Sequence, residues 1–247
     1  MHAPIGNRWQ LVSAYAAVCA ANQMLWLTFA PVTTSAARHY GVSVAAIGWL
    51  SELFPLLYVV LAIPAGMLLD RWLRPMLALG AALTAVGGAA RLIDSSYGWL
   101  LVGQVLVAIA QPLVLNAVTQ VSSGYLEPSA RPQGIATASM GIFAGMVVSL
   151  GLGAAMGSHL GALLVVQMLA GVLAAGWLVL ALTRPAPYPP LAEKVNGRSV
   201  AGLLRDPYLA RLTGLVFLGF GIFVALTTWL QPLLHPAGVS TSEAGLM

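Results

Sequence analysis

Seven runs of apolar residues, each long enough to cross a bilayer, constrain this chain more than any other feature. A helix needs about 20 apolar residues to span the hydrocarbon core. Lipid offers no partner for backbone N–H and C=O groups, so only helices or a closed barrel can cross it. The runs are continuously apolar rather than alternating, which favours helices. We predict membrane-spanning helices at residues 11–36, 47–69, 76–93, 98–123, 133–157, 160–182 and 208–234.

The composition excludes a soluble domain. Hydrophobic residues make up 59% of the chain and charged residues 7%, whereas a soluble domain carries about 25% charged residues. The net charge of +4 is dispersed over short loops, which is not typical of nucleic-acid binding. The single cysteine, Cys19, allows no internal disulfide. The histidines lack metal-ligand spacing, so we expect no metal site and no cofactor.

The basic residues predict the orientation of the chain in the membrane. If the N-terminus lies inside, only Arg38 and Arg91 fall in outer segments, and the other nine lysines and arginines fall in inner ones. The positive-inside rule then predicts a cytoplasmic N-terminus, in the inner or plasma membrane of the cell.

A polar, proline-rich segment divides the chain. It begins Arg184-Pro-Ala-Pro-Tyr-Pro-Pro190, which cannot continue a helix. We predict a six-helix bundle over residues 1–183, a cytoplasmic linker over 184–207, and the start of a second bundle over 208–247. The sequence Ser-Thr-Ser-Glu at 240–243 is a helix-start signal. We therefore expect an eighth helix that continues beyond Met247, and a function that needs the missing C-terminal helices.

The loop after the second span reads Gly66-Met-Leu-Leu-Asp70-Arg71-Trp-Leu-Arg74. A carboxylate at a helix C-terminus opposes the helix dipole, so Asp70 needs a cationic partner or the N-terminus of another helix. We predict that it serves as a conformational latch. The alternative is an ordinary inner loop with basic residues.

This loop resembles the signature loop of the major facilitator superfamily, Gly-x-x-x-Asp-Arg-x-Gly-Arg, with Leu73 in the place of the second glycine. The resemblance implies an all-α membrane protein with the major facilitator fold. The chain would then hold the N-terminal six-helix bundle and the first helix of the C-terminal bundle.

Further residues narrow the resemblance. They are Asn22-Gln-Met-Leu-Trp26, Tyr40-Gly-Val-Ser43, Ile47-Gly-Trp-Leu-Ser51 and Ala110-Gln111-Pro112. Together they resemble the feline leukaemia virus subgroup C receptor-related family, whose members are linked to choline and haem transport. The resemblance implies that Trp26 and Gln111 line the substrate cavity. A seventh-span tyrosine of that family falls on Val224, next to Phe223.

The residues also indicate a site without the resemblance. Asn22 and Trp26 are one helical turn apart and share a face. Gln111 lies near mid-span before Pro112, which frees a backbone carbonyl one turn earlier. Transporter sites lie near the bilayer midplane, often at interrupted helices. We predict that Trp26 is the main solute contact, Gln111 the orienting polar group and Asn22 a supporting one. The alternative is packing and interhelical hydrogen bonding.

Glu52 is the one acidic residue well inside a predicted span. Intramembrane carboxylates are costly and often belong to proton relays or substrate sites, so a coupling role is one hypothesis. Pairing with Arg38 or Arg91 near the outer end is the other.

The fifth span carries small residues at every fourth position. They share one face and permit close helix approach, so we assign them to packing rather than to a ligand site. They are Gly141, Gly145, Ser149, Gly153 and Gly157.

These observations predict a secondary active or facilitative transporter that moves a small organic solute by alternating access, with an organic cation such as choline as a candidate. A membrane enzyme would need a nucleophile–base pair or a metal cluster, and the sequence shows neither, so we expect no enzyme. The alternative is a truncated, non-transporting membrane protein or a partner-binding scaffold in the lipid bilayer.

Overall fold

The computed structural model describes residues 8–189, 202 and 205–238, except the side chains of residues 227, 231 and 235. Every regular element in this part of the chain is helical. Short 3-10 helices lie at Leu27–Val32 and His235–Ala237. The α-helices are α1 (Trp9–Trp26), α2 (Thr33–Tyr40), α3 (Val44–Ala90), α4 (Tyr97–Leu115), α5 (Val118–Tyr125), α6 (Arg131–Met156), α7 (Leu160–Leu182) and α8 (Pro207–Leu234).

In the described part of the chain six helices are long and apolar enough to cross a membrane, and one of them, α3, is long enough to hold two spans. The 47 residues of α3 would measure about 70 Å as one helix, against a hydrocarbon core of about 30 Å. Its backbone leaves the helical conformation at Trp72, with φ −140° and ψ 57°. Pro75 also has no N–H to donate to the Arg71 carbonyl. The break confirms the turn predicted between the second and third spans, and helical segments cover all seven predicted spans.

Two of the predicted spans are wrong in detail, because each is interrupted. The first α-helix ends at Trp26, and the 3-10 helix that follows contains Pro31. The predicted fourth span divides into α4 and α5 at Asn116 and Ala117. The Asn116 amide bonds outside its own helix, to the Tyr58 hydroxyl at 2.6 Å and the Ala62 carbonyl at 2.9 Å.

The first helix, α1, lies at the centre of the bundle and packs against α4, α6 and α7. The small residues of α6 allow its closest contact. A Cβ at Gly141 would lie 3.0 Å from the Ala16 carbonyl carbon, and one at Gly145 would lie 2.7 Å from that of Ala20. The glycines therefore serve helix packing, as predicted.

The last helix, α8, packs against the 3-10 segment, α2 and α3, at the end of the bundle predicted to face outward. A Cβ at Gly48 would lie 2.9 Å from the Trp229 ring, so the indole lies flush against α3. The rest of α8 is largely exposed, as at Tyr208 and Phe217. Two parts of the prediction lie outside the described residues. They are the inner location of Lys194 and Arg198 and the start of an eighth helix at 240–243.

Candidate functional site

Trp26, the predicted main contact, is the last residue of α1 and is only 2% exposed. Its indole N–H donates to the Ser51 carbonyl oxygen at 2.9 Å. That oxygen is available because Pro55, four residues later in α3, has no N–H to donate to it. A proline in the second span thus creates the acceptor that orients the tryptophan of the first span.

Aromatic rings from two other spans cover the Trp26 ring. Phe54 of α3 stacks on it with 5.9 Å between ring centroids and 26° between the planes. Phe220 of α8 approaches to 6.0 Å and in turn stacks on Phe223. Val224, where the resembling family has a tyrosine, is buried in the same apolar cluster. The seventh span therefore still places a ring on Trp26, from Phe220 one helical turn earlier.

Asn22 lies one turn before Trp26 and is fully buried. Its amide nitrogen donates to the Thr84 hydroxyl and to the Val107 carbonyl, both at 3.2 Å. Its amide oxygen has no hydrogen-bond partner among the described residues. Asn22 thus ties α1 to α3 and α4, and the supporting role predicted for it is compatible with this arrangement.

Gln111, the predicted orienting group, is 4% exposed. The described hydrogen bonds do not connect it to Trp26, whereas Gln104 of the same helix donates to the Trp26 carbonyl at 3.4 Å. The Gln104 amide oxygen has no partner among the described residues. Sequence reasoning missed Gln104, although a buried amide in an apolar span is a detectable signal.

Gln23 is a second residue that sequence reasoning missed. It is fully buried, and neither its amide oxygen nor its amide nitrogen has a partner in the described part of the chain. Such groups are rare in native structures and often mark an absent water or ligand. Gln23 is three residues before Trp26 and therefore lies near it on the helix surface.

Glu52 is half-buried. It lies one turn after Gly48, so it shares the α3 face that receives Trp229. Arg91, one expected partner of Glu52, is 2% exposed and donates to the Leu25 carbonyl of α1. No ion pair of Glu52 appears among the described residues, which leaves the coupling hypothesis open.

The signature loop connects the predicted inner ends of three spans. Gln120 of α5 donates an amide hydrogen to the Asp70 carboxylate, and the Arg74 guanidinium donates to the Leu182 carbonyl at the end of α7. The Arg71 guanidinium lies 4.6 Å from the centre of the Trp72 ring. At Gly66, a Cβ would meet nothing within 4 Å. The loop therefore holds the inner ends of α3, α5 and α7 together.

Comparison with known proteins decides the family. The family model of the Major Facilitator Superfamily matches residues 11–247. The chain belongs to the major facilitator superfamily. It is therefore an integral membrane protein from a family of transporters.

Two relatives bear on the resemblance to the feline leukaemia virus subgroup C receptor-related family. Solute carrier family 49 member A3 of Danio rerio is 29% identical over 262 residues, which cover 97% of this chain and 55% of that protein. The Choline/ethanolamine transporter FLVCR1 of Felis catus is 32% identical over 124 residues, or 49% of this chain and 22% of that protein. The chain spans about half the length of the curated relatives that it matches throughout.

The superfamily fold is also found among solved structures. The inward-facing, unoccupied crystal structure of a bacterial homolog of the human lysosomal transporter Spinster aligns with a TM-score of 0.75 and 23% identity. The alignment covers all of this chain and 59% of that one. This likeness confirms the fold, with a six-helix bundle followed by the first helix of a second bundle.

Proposed function

We propose that this chain forms the N-terminal part of a transporter that moves a small organic solute by alternating access, and that the solute is an organic cation such as choline. The family supports transport, and the similarity to choline/ethanolamine transporters supports the solute class. Because the chain spans about half of its full-length relatives, the proposed transporter also includes the helices of a second bundle.

The aromatic cluster around Trp26 carries the proposal. A cation over a tryptophan or phenylalanine face gains about 0.5–2 kcal/mol, with the larger values in desolvated sites. Trp26, Phe54 and Phe220 supply three such faces from three spans, and the Phe54 and Phe220 ring centroids lie 5.9 Å and 6.0 Å from that of Trp26. Small shifts of Phe220 would open a space between the rings without exposing an unpaired charge. A quaternary ammonium group could occupy this space because it needs no hydrogen-bond acceptor.

The position of α8 supports alternating access. Its residues near Trp229 close against Gly48 at one end of the bundle, whereas Leu215 and Phe217, nearer the other end, are 73% and 70% exposed. The Trp26 cluster lies between the closed end and the exposed part. In transporters of this kind the two bundles rock about a central site, and this arrangement corresponds to a state closed on the predicted outer side.

Glu52 gives the proposed site its negative charge. The cluster itself is neutral, and a cation is attracted over several ångströms when a partly buried carboxylate faces it. Glu52 lies on the α3 face toward α8, one residue after the carbonyl that holds the Trp26 indole. We assign it a coupling or steering role rather than direct contact.

Binding of choline to the chain in lipid nanodiscs tests the proposal. Choline is compared with 3,3-dimethyl-1-butanol, which has the same shape without the charge. We expect choline to bind and the neutral analogue to bind much more weakly. Replacing Phe220 by leucine keeps the apolar bulk and should weaken choline binding about 2- to 30-fold. The matched control is Phe217→Leu, because Phe217 is exposed on the same helix.

The predicted contacts are tested in the same assay. Trp26→Ala and Gln111→Ala are compared with the packing control Leu115→Ala at matched expression. Equal losses in all three variants would make Trp26 and Gln111 structural. Equal binding of choline and its neutral analogue would remove cation recognition from the proposal. Choline uptake into liposomes by this chain alone would contradict the need for a second bundle.

A further inference from the structure

The end of α1 beneath the candidate site is held by side chains from three other spans. Because α1 stops at Trp26, its last carbonyls lack the usual helical donors and need other partners. Each of the last three carbonyls instead accepts a hydrogen bond from a side chain of a different helix or its cap. The pairs are Ser149 with Met24 at 2.8 Å, Arg91 with Leu25 at 2.9 Å and Gln104 with Trp26 at 3.4 Å.

Arg91 is the charged member of this set, and it is the C-cap residue of α3. Its side chain is 2% exposed, although it carries a full positive charge. Besides Leu25, it donates to the Thr28 hydroxyl at 3.0 Å. Thr28 lies in the 3-10 segment just after Trp26, and its oxygen lies 2.5 Å from the Gln167 amide oxygen of α7. One guanidinium therefore connects the two sides of the break in the first span.

The positive charge of Arg91 is compensated by a helix end rather than by a carboxylate. An unpaired buried charge is very costly, and no ion pair of Arg91 appears in the described part of the chain. The C-terminus of a helix carries a partial negative charge of about half a unit, which favours a cation. The end of α1 therefore takes the place of a carboxylate, and it can do so only while the helix stops at Trp26.

The neighbouring helix is shaped to admit this side chain. A Cβ at Gly103 of α4 would lie 2.6 Å from the Arg91 Cγ, closer than side-chain carbons approach. The stem of Arg91 thus passes through a space that exists only because position 103 has no side chain. This fit is independent of the hydrogen bonds and indicates a fixed position for the guanidinium.

We propose that Arg91 is a positioning residue for Trp26. It holds the carbonyl of the residue before Trp26 and the hydroxyl of Thr28 beyond it, so the backbone that carries the indole cannot turn without breaking both bonds. Loss of the guanidinium removes the donor that ties the Leu25 carbonyl to α3 and leaves this carbonyl the Thr28 hydroxyl of its own span, at 2.9 Å. The last turn of α1 then relaxes, and the Trp26 ring leaves its place between Phe54 and Phe220.

Fluorine NMR of the chain labelled with 5-fluorotryptophan tests this proposal without any solute. Trp26→Phe assigns the Trp26 resonance. We expect Arg91→Gln to shift or broaden that resonance and to leave those of Trp99 and Trp177 in place. Arg91→Lys keeps the charge but reaches fewer acceptors, so it should give a smaller change. The control is Arg38→Gln, which removes the same charge from an exposed residue at the same end. An unchanged Trp26 resonance in Arg91→Gln would overturn the proposal.

Thr28→Val provides a second route if Arg91→Gln does not fold. It removes one acceptor of Arg91 with little change in shape, and we expect it to move the same resonance; no movement would again overturn the proposal. A solute readout rests on the proposed function: choline affinity should fall roughly 10-fold in Arg91→Gln and recover in part in Arg91→Lys. If choline does not bind the native chain while Trp26 still responds to Arg91, the proposed function fails and the positioning role stands.

Discussion

Replacing Gly145 by alanine is expected to force α1 and α6 apart at the centre of the bundle. A Cβ built there lies 2.7 Å from the Cα and carbonyl carbon of Ala20, whereas ordinary contact begins at 3.4 Å. The Ala20 carbonyl oxygen lies closer still, and none of these atoms belongs to a flexible side chain, so the helices must separate by at least about 0.7 Å. The separation also stretches the 2.8 Å hydrogen bond from Ser149 to the Met24 carbonyl, one turn further along both helices.

The expected cost follows from these two effects. Overpacking of a close contact costs about 1–3 kcal/mol, and weakening one interhelical hydrogen bond in a membrane protein costs about 0.6 kcal/mol. We therefore expect Gly145→Ala to lower the free energy of unfolding by about 1.6–3.6 kcal/mol. Gly151→Ala is the matched control on the same helix, because a Cβ there meets nothing within 4 Å. It should stay within about 0.5 kcal/mol of the native chain.

Titration with sodium dodecyl sulfate in mixed micelles, followed by circular dichroism, measures both variants under the same conditions. A midpoint for Gly145→Ala well below that for Gly151→Ala is the expected result. If the two variants unfold at the same midpoint with the same slope, α1 and α6 do not meet backbone to backbone, and the reasoning from the small residues of α6 is refuted.

Three further substitutions test other parts of the bundle. Tyr15→Phe removes the hydroxyl that donates to the Val114 carbonyl at 2.7 Å, where α4 breaks from α5; we expect a loss of about 1 kcal/mol in the same unfolding assay, and no loss would show that the carbonyl finds another donor. Asp70→Ala and Gln120→Ala, singly and together, should lower the free energy of unfolding non-additively, with a coupling energy of about 0.5–3 kcal/mol. Additive losses would show that the hydrogen bond between the two residues does not contribute to stability. Gly66→Ala should leave the free energy of unfolding within about 0.5 kcal/mol of the native value. If the variant is stable but transport is impaired, the glycine is required in a different conformational state of the transporter.

The spans and the family could be predicted from the sequence because each depends on local information. The spans follow from the free energy of transfer from water into the membrane, which is a sum over consecutive residues of each apolar run. The small residues of α6 could be assigned to packing because their four-residue spacing alone places them on one face. The signature loop was recognisable because it needs specific residues at fixed distances within residues 66–74.

The break in the first span and its partners could not be predicted in this way. Pro31 was a local hint, but the run from 11 to 36 is evenly apolar, and the break falls five residues before that proline. Arg91 reads as an outer loop residue, because nothing near it in sequence shows that Leu25, 66 positions away, supplies its acceptor. A buried polar residue indicates that a partner must exist, and only the fold shows which one.

The way in which the breaks are satisfied has a consequence for how the chain can move. In water, an interrupted helix exposes carbonyls to solvent, but in lipid each one needs a donor from another span. Here Ser51, Leu25 and Val114 each receive one from a different helix, so every break also ties two spans together. Moving one span within the bundle would break these interhelical hydrogen bonds, at about 0.5–1.5 kcal/mol each.

The described contacts of α8 are of a different kind, since the Phe220 and Trp229 rings rest against Trp26 and Gly48. Apolar surfaces can separate in a membrane at little cost, because lipid tails replace the lost contact. The residues of 8–182 should therefore move as one body, with α8 and whatever follows it moving against them, and Trp26 lies on the boundary between the two.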